Sequence, residues 1–497
     1  MNHDTYRELI DLFKEYSLVG SIGAIVGWDQ HTYMPPKGAG HRAEQMGYLA
    51  KLGHEKLTSP RIGELLEPLD GTADTIESVN VREIRRAYDR AVKVPGKLVE
   101  EIAKVTSQAQ NVWAEARKKN DFPAFAPWLD KIVTLKREEA KAVGYKESPY
   151  DALLDEYEPG ATAAEITRVF AELRGELVPL VAAIAASNKK PRKDLLNREY
   201  AVERQHIFGQ AAAAAIGFDF KAGRLDTTVH PFCSGIGPGD CRLTTRYQAR
   251  ELNQGLFGIL HEAGHGIYEQ GLDPAHFGTP MGSAASLGIH ESQSRLWENQ
   301  VGRGKPFWEH FYPRLQQTYP GTLDEVSLDD FIFAANNVEK SFIRVEADEA
   351  TYNMHIILRF ELEQALICGD LKPTDVPGAW NEKFKKMLDL TPSDDAHGCL
   401  QDIHWSMGGL GYFPTYTLGN LYAAQFMQQA RNDLGDLDAD FRVGQFGRLK
   451  TWLNEKIHRQ GQRYRAGELC RRVTGQPLSH RPLIAYLRKK YEPLYGI

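Results

Sequence analysis

Apolar residues recur at the spacing of an α-helix through most of the chain. One such stripe consists of Val79, Ile84, Ala87, Tyr88 and Ala91. Pro95 suits the start of a new helix, whose stripe consists of Leu98, Ile102, Val105, Ala109, Val112 and Trp113. Thr162 and Glu165 have the spacing of a capping box, and residues 446–457 repeat the helical pattern. The pattern predicts a mainly α fold.

Strand-like alternation is concentrated in residues 240–245, where polar and less polar positions alternate. Residues 227–229 precede this stretch, and the glycine-rich residues 235–239 supply a turn between the two. The region therefore predicts a small β-hairpin in an otherwise helical chain.

The composition fits a large enzyme core. The chain has 497 residues and a formal net charge of -6, which is mild for this length and favours neither nucleic acid nor an anionic membrane as a partner. Length alone suggests about three domains, but helical enzymes of this size often fold as one unit. Because no linker or repeat is evident, we predict a single domain over residues 1–497. Helices within about residues 1–60 could flank a groove, and the sequence leaves their movement open.

Targeting signals are weak. The first residues lack a basic region followed by an apolar stretch, which argues against a secretory signal. The longest apolar runs, near residues 18–26 and 180–186, are too short to span a bilayer. The five cysteines are scattered, as is usual for buried thiols in a reducing compartment. These features predict a cytoplasmic protein without a membrane partner.

His261, Glu262 and His265 form a His-Glu-x-x-His pentad after a strongly apolar run. On a helix, residues i and i+4 share a face, so both imidazoles could bind one zinc ion while Glu262 lies beside them as a base. Gly264 and Gly266 each cost about 1 kcal/mol relative to Ala in a helix interior. Metal ligation or close packing must therefore hold this turn.

A hydrolytic zinc site takes three protein ligands and keeps one position open for water. Glu291 is our choice for the third ligand, because Leu296 and Trp297 indicate a buried helix with Glu291 in its first turn. Spacing alone leaves other nearby candidates open, and these are Glu269, His290 and Glu298.

The ordered motifs of the chain resemble the thermostable carboxypeptidase Taq family of zinc metallocarboxypeptidases. The motifs that carry the resemblance are residues 230–232, 240–244, 261–265, 290–293, 343–348 and 398–405. Further similarity at residues 28–30, 34–35, 149–154 and 411–416 extends it over essentially the whole chain.

This resemblance implies that His261, His265 and Glu291 bind the metal and that Glu262 is the general base. It also implies a large, almost entirely helical metallopeptidase fold, with the small β element beside the active-site groove, and a homodimer. One ion per subunit is expected. Zinc is the first choice, with cobalt and manganese as alternatives, because two imidazoles and one carboxylate do not select sharply among these metals.

The oxyanion formed during peptide hydrolysis needs a donor in addition to the metal. His404, Tyr412 and Tyr416 are the candidates, because they resemble the His and Tyr donors of related helical zinc peptidases. The sequence does not distinguish the two tyrosines, and packing is an equal alternative for either ring.

A carboxypeptidase must recognise a free carboxylate, which the planar fork of arginine suits. Arg242 and Arg344 lie in motif segments, and each has an ion pair as the alternative, with Asp240 and Asp348 respectively. By the resemblance, His230 and Gln401 join the predicted substrate-binding residues.

The sequence thus predicts a metal-dependent carboxypeptidase that releases single amino acids, with broad specificity, from peptides with a free C-terminus. Three alternatives remain. They are a related zinc endopeptidase or dipeptide-releasing peptidase, an inactive helical peptide-binding protein, and a zinc hydrolase acting on a non-peptide amide.

Overall fold

The computed structural model describes residues 3–497, which fold mainly into α-helices with one small β-sheet. The helices are α1 (His3–Thr32), α2 (Ala39–Leu57), α3 (Pro60–Leu66), α4 (Ile76–Lys93), α5 (Gly96–Lys119), α6 (Phe122–Val143), α7 (Pro149–Leu154), α8 (Ala163–Ala186), α9 (Val202–Ile216), α10 (Asn253–Gly271), α11 (Leu287–Arg295), α12 (Lys305–Thr318), α13 (Leu328–Ala335), α14 (Tyr352–Cys368), α15 (Val376–Leu388), α16 (Pro414–Leu434), α17 (Leu437–Arg442), α18 (Gly447–Lys456), α19 (Ala466–Thr474) and α20 (Arg481–Tyr495). The strands are β1 (Gly223–Thr227), β2 (Cys233–Gly237) and β3 (Asp240–Thr245). The mainly α fold class is confirmed.

The chain forms two compact units, each assembled from segments that are far apart in sequence. The first unit contains the chain up to Val92, Pro191–Asn336 and Ala423–Pro477. The second contains Lys93–Lys190, Asn337–Tyr422 and Leu478–Ile497. Because the segments alternate, no linker in the sequence marks the division. The single domain over residues 1–497 stays a prediction, as does movement of the helices within about residues 1–60, and residues 1 and 2 lie outside the described residues.

The local helix signals are confirmed. Helix α5 begins directly after Pro95, and the Thr162 side chain accepts a hydrogen bond from the Glu165 backbone N–H at the start of α8. Helix α18 falls within the apolar repeat of residues 446–457. Within residues 3–497, no helix combines the length and apolar character needed to cross a bilayer.

The sheet differs from the predicted hairpin. Its strand order is β1-β3-β2, with β1 parallel to β3 and β2 antiparallel to β3. The prediction that residues 227–229 form the first arm of the hairpin is therefore wrong. Gly235 and Gly237, expected in the turn, lie in β2 on either side of an irregularity in register. The turn itself is short and uses Gly239, whose φ of 82° suits glycine.

Helix α10 lies at the centre of the first unit, in contact with β3, α9 and α11. Two glycines allow these approaches. A Cβ at Gly264 would lie 2.6 Å from the backbone of Ser294 on α11, and a Cβ at Gly266 would lie 2.6 Å from the Phe218 ring. Close packing therefore explains why glycines interrupt this helix despite their cost in helix propensity.

Helix α14 is the buried centre of the second unit, where it contacts α6, α7, α8 and α15. It is unusual in burying charged and polar side chains, among them His355, Arg359 and Glu363. The Glu363 carboxylate accepts hydrogen bonds from Tyr150, Trp405 and the Gly411 backbone. A buried polar group needs such partners, since an unsatisfied one costs about 1–3 kcal/mol.

Candidate active site

His261 and His265 project from the same face of α10. The helix is held by apolar residues on its other faces, including the fully buried Ile259, Leu260 and Ile267. The i, i+4 spacing brings the two imidazole centroids to 5.0 Å, nearly perpendicular to each other. The helical placement of the pentad agrees with the prediction.

Glu291 lies on α11, which packs on α10 at the glycine contact. The helix begins at Leu287 with Ser286 as its N-cap, so Glu291 lies in the second turn and not in the first as predicted. The chain continues beyond Arg295 as a π-helix, Leu296–Gly302. The apolar residues that indicated the helix therefore belong to this continuation, and the capping serine sets the true start.

Three acceptor atoms converge between the two helices. Glu291 Oε2 lies 3.6 Å from His261 Nε2 and 3.4 Å from His265 Nε2. With metal–ligand bonds of about 2.0–2.2 Å, tetrahedral coordination places neighbouring ligand atoms roughly 3.4 Å apart. The three side chains therefore fit a single small divalent cation.

The hydrogen bonds behind the histidines fix which ring nitrogens carry protons. His261 Nδ1 lies 2.9 Å from Glu298 Oε2. His290 Nε2 lies 2.7 Å from Glu269 Oε1, and its Nδ1 lies 2.5 Å from His265 Nδ1. A carboxylate can only accept, so His261 donates from Nδ1, and a neutral His290 donates from Nε2 and accepts from His265. When both imidazoles are neutral, the two Nε2 atoms that face Glu291 are then unprotonated, as metal ligation requires.

Charged neighbours keep the carboxylates of the cluster ionised. Burial would raise the pKa of Glu291, but Arg295 and the two histidines hold it well below its ordinary value. Arg295 Nε donates to Glu291 Oε1 at 2.6 Å, which leaves Oε2 directed at the histidines. Burial likewise opposes ionisation of Glu298, yet His261 and Arg295 lower its pKa to about 2.

The two histidines respond differently to their surroundings. Burial lowers the pKa of His265 to about 4, so its imidazole is neutral near pH 7. Burial also acts to lower the pKa of His261, but Glu291 and Glu298 outweigh it and the net shift is upward.

Glu262 is buried beside this cluster. Desolvation raises its pKa to about 7, with His261 opposing the shift and Glu291 adding to it. A carboxyl group with a pKa near 7 can both accept and return a proton near neutral pH, which is the property a general base requires.

The predicted substrate-binding residues of the first unit lie on and near the sheet. Arg242 on β3 forms a two-point ion pair with Asp240, at 2.8 and 2.7 Å, and stacks over the Trp28 ring. The ion pair considered from the sequence is therefore present. His230 is exposed in the connection between β1 and β2. Substrate contacts of both residues stay predictions.

The second unit brings His404, Tyr412 and Tyr416 together. His404 Nε2 lies 3.4 Å from the Tyr416 hydroxyl, and the His404 and Tyr412 ring centroids are 5.4 Å apart. Burial lowers the pKa of His404 to about 4, which makes it a neutral imidazole at pH 7. Its Nδ1 is buried without a hydrogen-bond partner among residues 3–497.

Arg344 is buried in the same unit and pairs with a carboxylate remote in sequence. Its Nε lies 2.9 Å from Asp402, which also receives Arg359 at 2.7 Å. The alternative considered from the sequence, a pair with Asp348, is wrong, because Asp348 instead accepts hydrogen bonds from Thr351 and nearby backbone N–H groups.

Gln401 supports the backbone around Arg344. Its Oε1 accepts from the Arg344 N–H at 2.8 Å, and its Nε2 lies 3.0 Å from the carbonyls of Phe342, His397 and Gly398. These contacts hold two loops together. A substrate contact of Gln401 stays a prediction.

A family model described as carboxypeptidase Taq (M32) metallopeptidase matches residues 8–491. The chain belongs to this family. Members are metallocarboxypeptidases, so this carboxypeptidase Taq family member is a metal-dependent carboxypeptidase, a hydrolase of peptide bonds. The resemblance inferred from the sequence motifs is thereby confirmed.

Relatives of this family member cover nearly its full length. It is 49% identical to thermostable carboxypeptidase 1 of Thermus thermophilus and 40% identical to carboxypeptidase 1 of Bacillus subtilis, over 99% of each chain. Among solved structures, the M32 carboxypeptidase from Deinococcus radiodurans R1 superposes with a TM-score of 0.97 at 40% identity, covering 99% of this chain and 100% of that one. Metallocarboxypeptidase 1 of Trypanosoma cruzi gives 0.93 at 35% identity, covering 98% and 99%.

The supporting residues of the metal cluster were not assigned roles from the sequence of this M32 chain. Glu269, His290 and Glu298 were considered only as rival third ligands, whereas the structure places them behind the histidines. Arg295 was not singled out. A signal was available for Arg295, because it follows Glu291 at i+4 on a helix, the spacing of an ion pair.

Proposed function

We infer that this chain is a zinc-dependent enzyme that removes amino acids singly from peptide C-termini. The observation that carries the inference is the convergence of three potential ligand atoms, His261 Nε2, His265 Nε2 and Glu291 Oε2, within 4.8 Å of one another. A shared cation would relieve the repulsion of their lone pairs when both imidazoles are neutral. The hydrogen-bond partners behind both rings support protons on the far sides.

The bound cation would polarise the scissile carbonyl and make a water molecule acidic enough to deprotonate near neutral pH. His261, His265 and Glu291 would hold it. Two imidazoles and a carboxylate suit zinc, and cobalt or manganese fit the same donors. One such cluster among residues 3–497 supports one ion per subunit.

Glu262 would move the proton. Its carboxylate accepts a proton from the attacking water as the water oxygen bonds to the scissile carbonyl carbon. The protonated carboxyl then donates that proton to the leaving amine as the C–N bond breaks. A pKa raised by burial to about 7 suits both transfers.

His404 with Tyr412 or Tyr416 would supply the remaining donor to the oxyanion. The neutral imidazole and the neighbouring hydroxyls are donors that do not need to lose a charge to act. Arg344 or Arg242 would meet the substrate carboxylate, with His230 and Gln401 as further contacts. Broad specificity and a homodimer complete the proposal and rest on the family resemblance. A cytoplasmic location is also proposed, and it rests on the scattered, unpaired cysteines.

The discriminating experiment compares a peptide with a free C-terminus and the same peptide as its C-terminal amide. Stepwise release of single amino acids from the free acid alone, by zinc-loaded protein, supports the proposal. Equal cleavage of both peptides would reveal an endopeptidase. Release of dipeptides would reveal a dipeptide-releasing peptidase. Binding without cleavage would identify a peptide-binding protein, and cleavage confined to acylated amino acids a non-peptide amide hydrolase.

A further inference from the structure

Two of the five cysteines lie side by side on the sheet of the first unit. Cys233 on β2 and Cys241 on β3 have their Sγ atoms 3.6 Å apart. In the antiparallel register Cys233 is opposite Leu243 and Gly235 is opposite Cys241, so the thiols share one face as diagonal neighbours. No proposed catalytic step uses either thiol, although Cys241 lies in the motif of residues 240–244.

The strands hold these thiols in place. Directly beside Cys233, the Phe232 backbone N–H donates to Thr244 Oγ1 at 2.8 Å, and the Thr244 N–H donates to the Phe232 carbonyl at 2.9 Å. The strand pair is irregular in register between Gly235 and Gly237, and Gly235 is the residue opposite Cys241. A disulfide needs its sulfurs at about 2.05 Å, so the two thiols must approach by about 1.5 Å from their separation of 3.6 Å.

A cavity of about 180 Å³ lies next to the pair and is lined by Cys241, Gly235 and Glu269 among others. A single water needs only about 10–15 Å³ of such space, so a molecule as small as hydrogen peroxide fits. Cys241 therefore borders a space that a small oxidant could occupy. The hydrogen bond to Cys241 and burial raise the pKa of Cys233 well above its ordinary value, which makes Cys233 the weaker first nucleophile.

We propose that Cys233 and Cys241 form an oxidisable dithiol that a small peroxide converts to a disulfide, with Cys241 oxidised first. The Cys241 thiolate attacks one peroxide oxygen, the O–O bond breaks, and the departing hydroxide leaves as water. The Cys233 sulfur then attacks the Cys241 sulfur, the S–O bond breaks, and a second water leaves with the Cys233 proton. Two thiols and one peroxide thus give one disulfide and two waters. The proposal does not depend on the peptidase reaction.

The test treats the reduced, folded full-length protein with limited hydrogen peroxide, then denatures it before alkylation and tryptic mass mapping. Both thiols fall in one tryptic peptide, residues 225–242, because Arg224 and Arg242 bound it without an internal Lys or Arg. The expected product lacks two hydrogens and resists alkylation until a reductant restores both sites. Exposed Cys368 reports the dose of oxidant, and fully buried Cys470 is the matched control that stays alkylatable.

Single variants test the order of reaction. Cys233→Ser should leave a Cys241 sulfenic acid that a dimedone probe traps, whereas Cys241→Ser should leave Cys233 as a thiol under the same dose. The disulfide is refuted if Cys368 is oxidised while peptide 225–242 still takes two alkyl groups. Equal oxidation of Cys233 in Cys241→Ser would overturn the assignment of the first nucleophile.

Discussion

The metal cluster of the first unit (His261, His265 and Glu291) and the arginine cluster of the second (Arg344, Arg359 and Asp402) are both buried and both charged. They differ in how their charged groups are paired. Around Asp402, two guanidinium groups meet one carboxylate, and Arg344 also donates to Tyr352. Around Glu291 Oε2, by contrast, the Nε2 atoms of His261 and His265 lie at 3.6 and 3.4 Å, and the hydrogen bond donated to this oxygen comes from Ser294 Oγ at 3.1 Å. The first arrangement pairs opposite charges, whereas the second brings together three atoms that could ligate a cation.

This contrast decides how strongly each cluster indicates a role in binding a metal or a substrate. Two imidazoles and one carboxylate that converge in this way form a ligand set that could hold a divalent metal. A satisfied ion pair serves the fold equally well, and breaking it to bind a substrate carboxylate would require replacing Asp402 as partner. The Arg344 assignment therefore depends more heavily on the family motifs than the metal ligands do.

The largest effect should come from Glu291→Gln, which replaces the charged ligand by a neutral amide of the same shape. We expect metal affinity to fall by more than about 100-fold, beyond the 10–100-fold typical of losing an outer partner. Competition with a chelator measures it. Glu309→Gln, in an exposed ion pair with Arg442, is the matched control and should leave affinity unchanged. Equal loss in both variants would remove Glu291 from the ligand set.

Asp402→Asn tests the arginine cluster of the second unit. Two buried guanidinium groups would lose their shared anion, so the free energy of unfolding should fall by roughly 3–5 kcal/mol. Asp240→Asn removes a partly exposed partner of Arg242 and should cost under about 1 kcal/mol. Denaturant unfolding of both variants measures the difference. Similar losses would mean that the Asp402 cluster does not hold the second unit together.

His290→Phe tests the hydrogen bonds behind His265. The phenyl ring preserves packing against Tyr268 but removes both hydrogen bonds, so metal affinity should fall about 10–100-fold. Glu269→Gln keeps an acceptor for His290 Nε2 and should retain most of the affinity. If His290→Phe binds metal as tightly as the wild type, the hydrogen bonds through His290 do not set the orientation of His265.

The smallest effect at neutral pH concerns His458, whose pKa burial lowers to about 3. The folded state then binds fewer protons than the unfolded state below about pH 6.5. Its contribution to stability is complete above that pH and is lost as the pH falls toward 3, with a slope of up to about 1.4 kcal/mol per pH unit. His458→Gln should reduce the loss of unfolding free energy as the pH falls below about 6.5, and His41→Gln, at an exposed position, should not. An unchanged loss in His458→Gln would show that this imidazole is not neutral when buried.

The sequence predicted what depends on local periodicity. The i, i+4 spacing of His261 and His265, the helix starts at Pro95 and Thr162, and the mainly α class all follow from short-range rules. The start of α11 was misplaced because the Ser286 cap was outweighed by apolar residues that lie in a π-helix, a rare conformation without a periodic signal.

Long-range pairings were not predictable in the same way. Arg344 pairs with Asp402 and not with nearby Asp348, because burial of two arginines around one carboxylate is set by the packing of segments far apart in sequence. The first arm of the hairpin was also wrong, whereas the second arm is β3, since β1 pairs with β3 in parallel and such pairing has no local signature. The motifs made Arg344 a candidate, but nothing in the sequence paired it with Asp402.

The central claim is that Glu262 is the base beside a metal held by His261, His265 and Glu291. The most direct test measures zinc content and amino-acid release from a free-carboxylate peptide for wild type and Glu262→Gln. The account predicts full zinc occupancy in both proteins and a fall in kcat of about 10²–10⁴-fold in the variant. Release by metal-replete Glu262→Gln at the wild-type rate would contradict it.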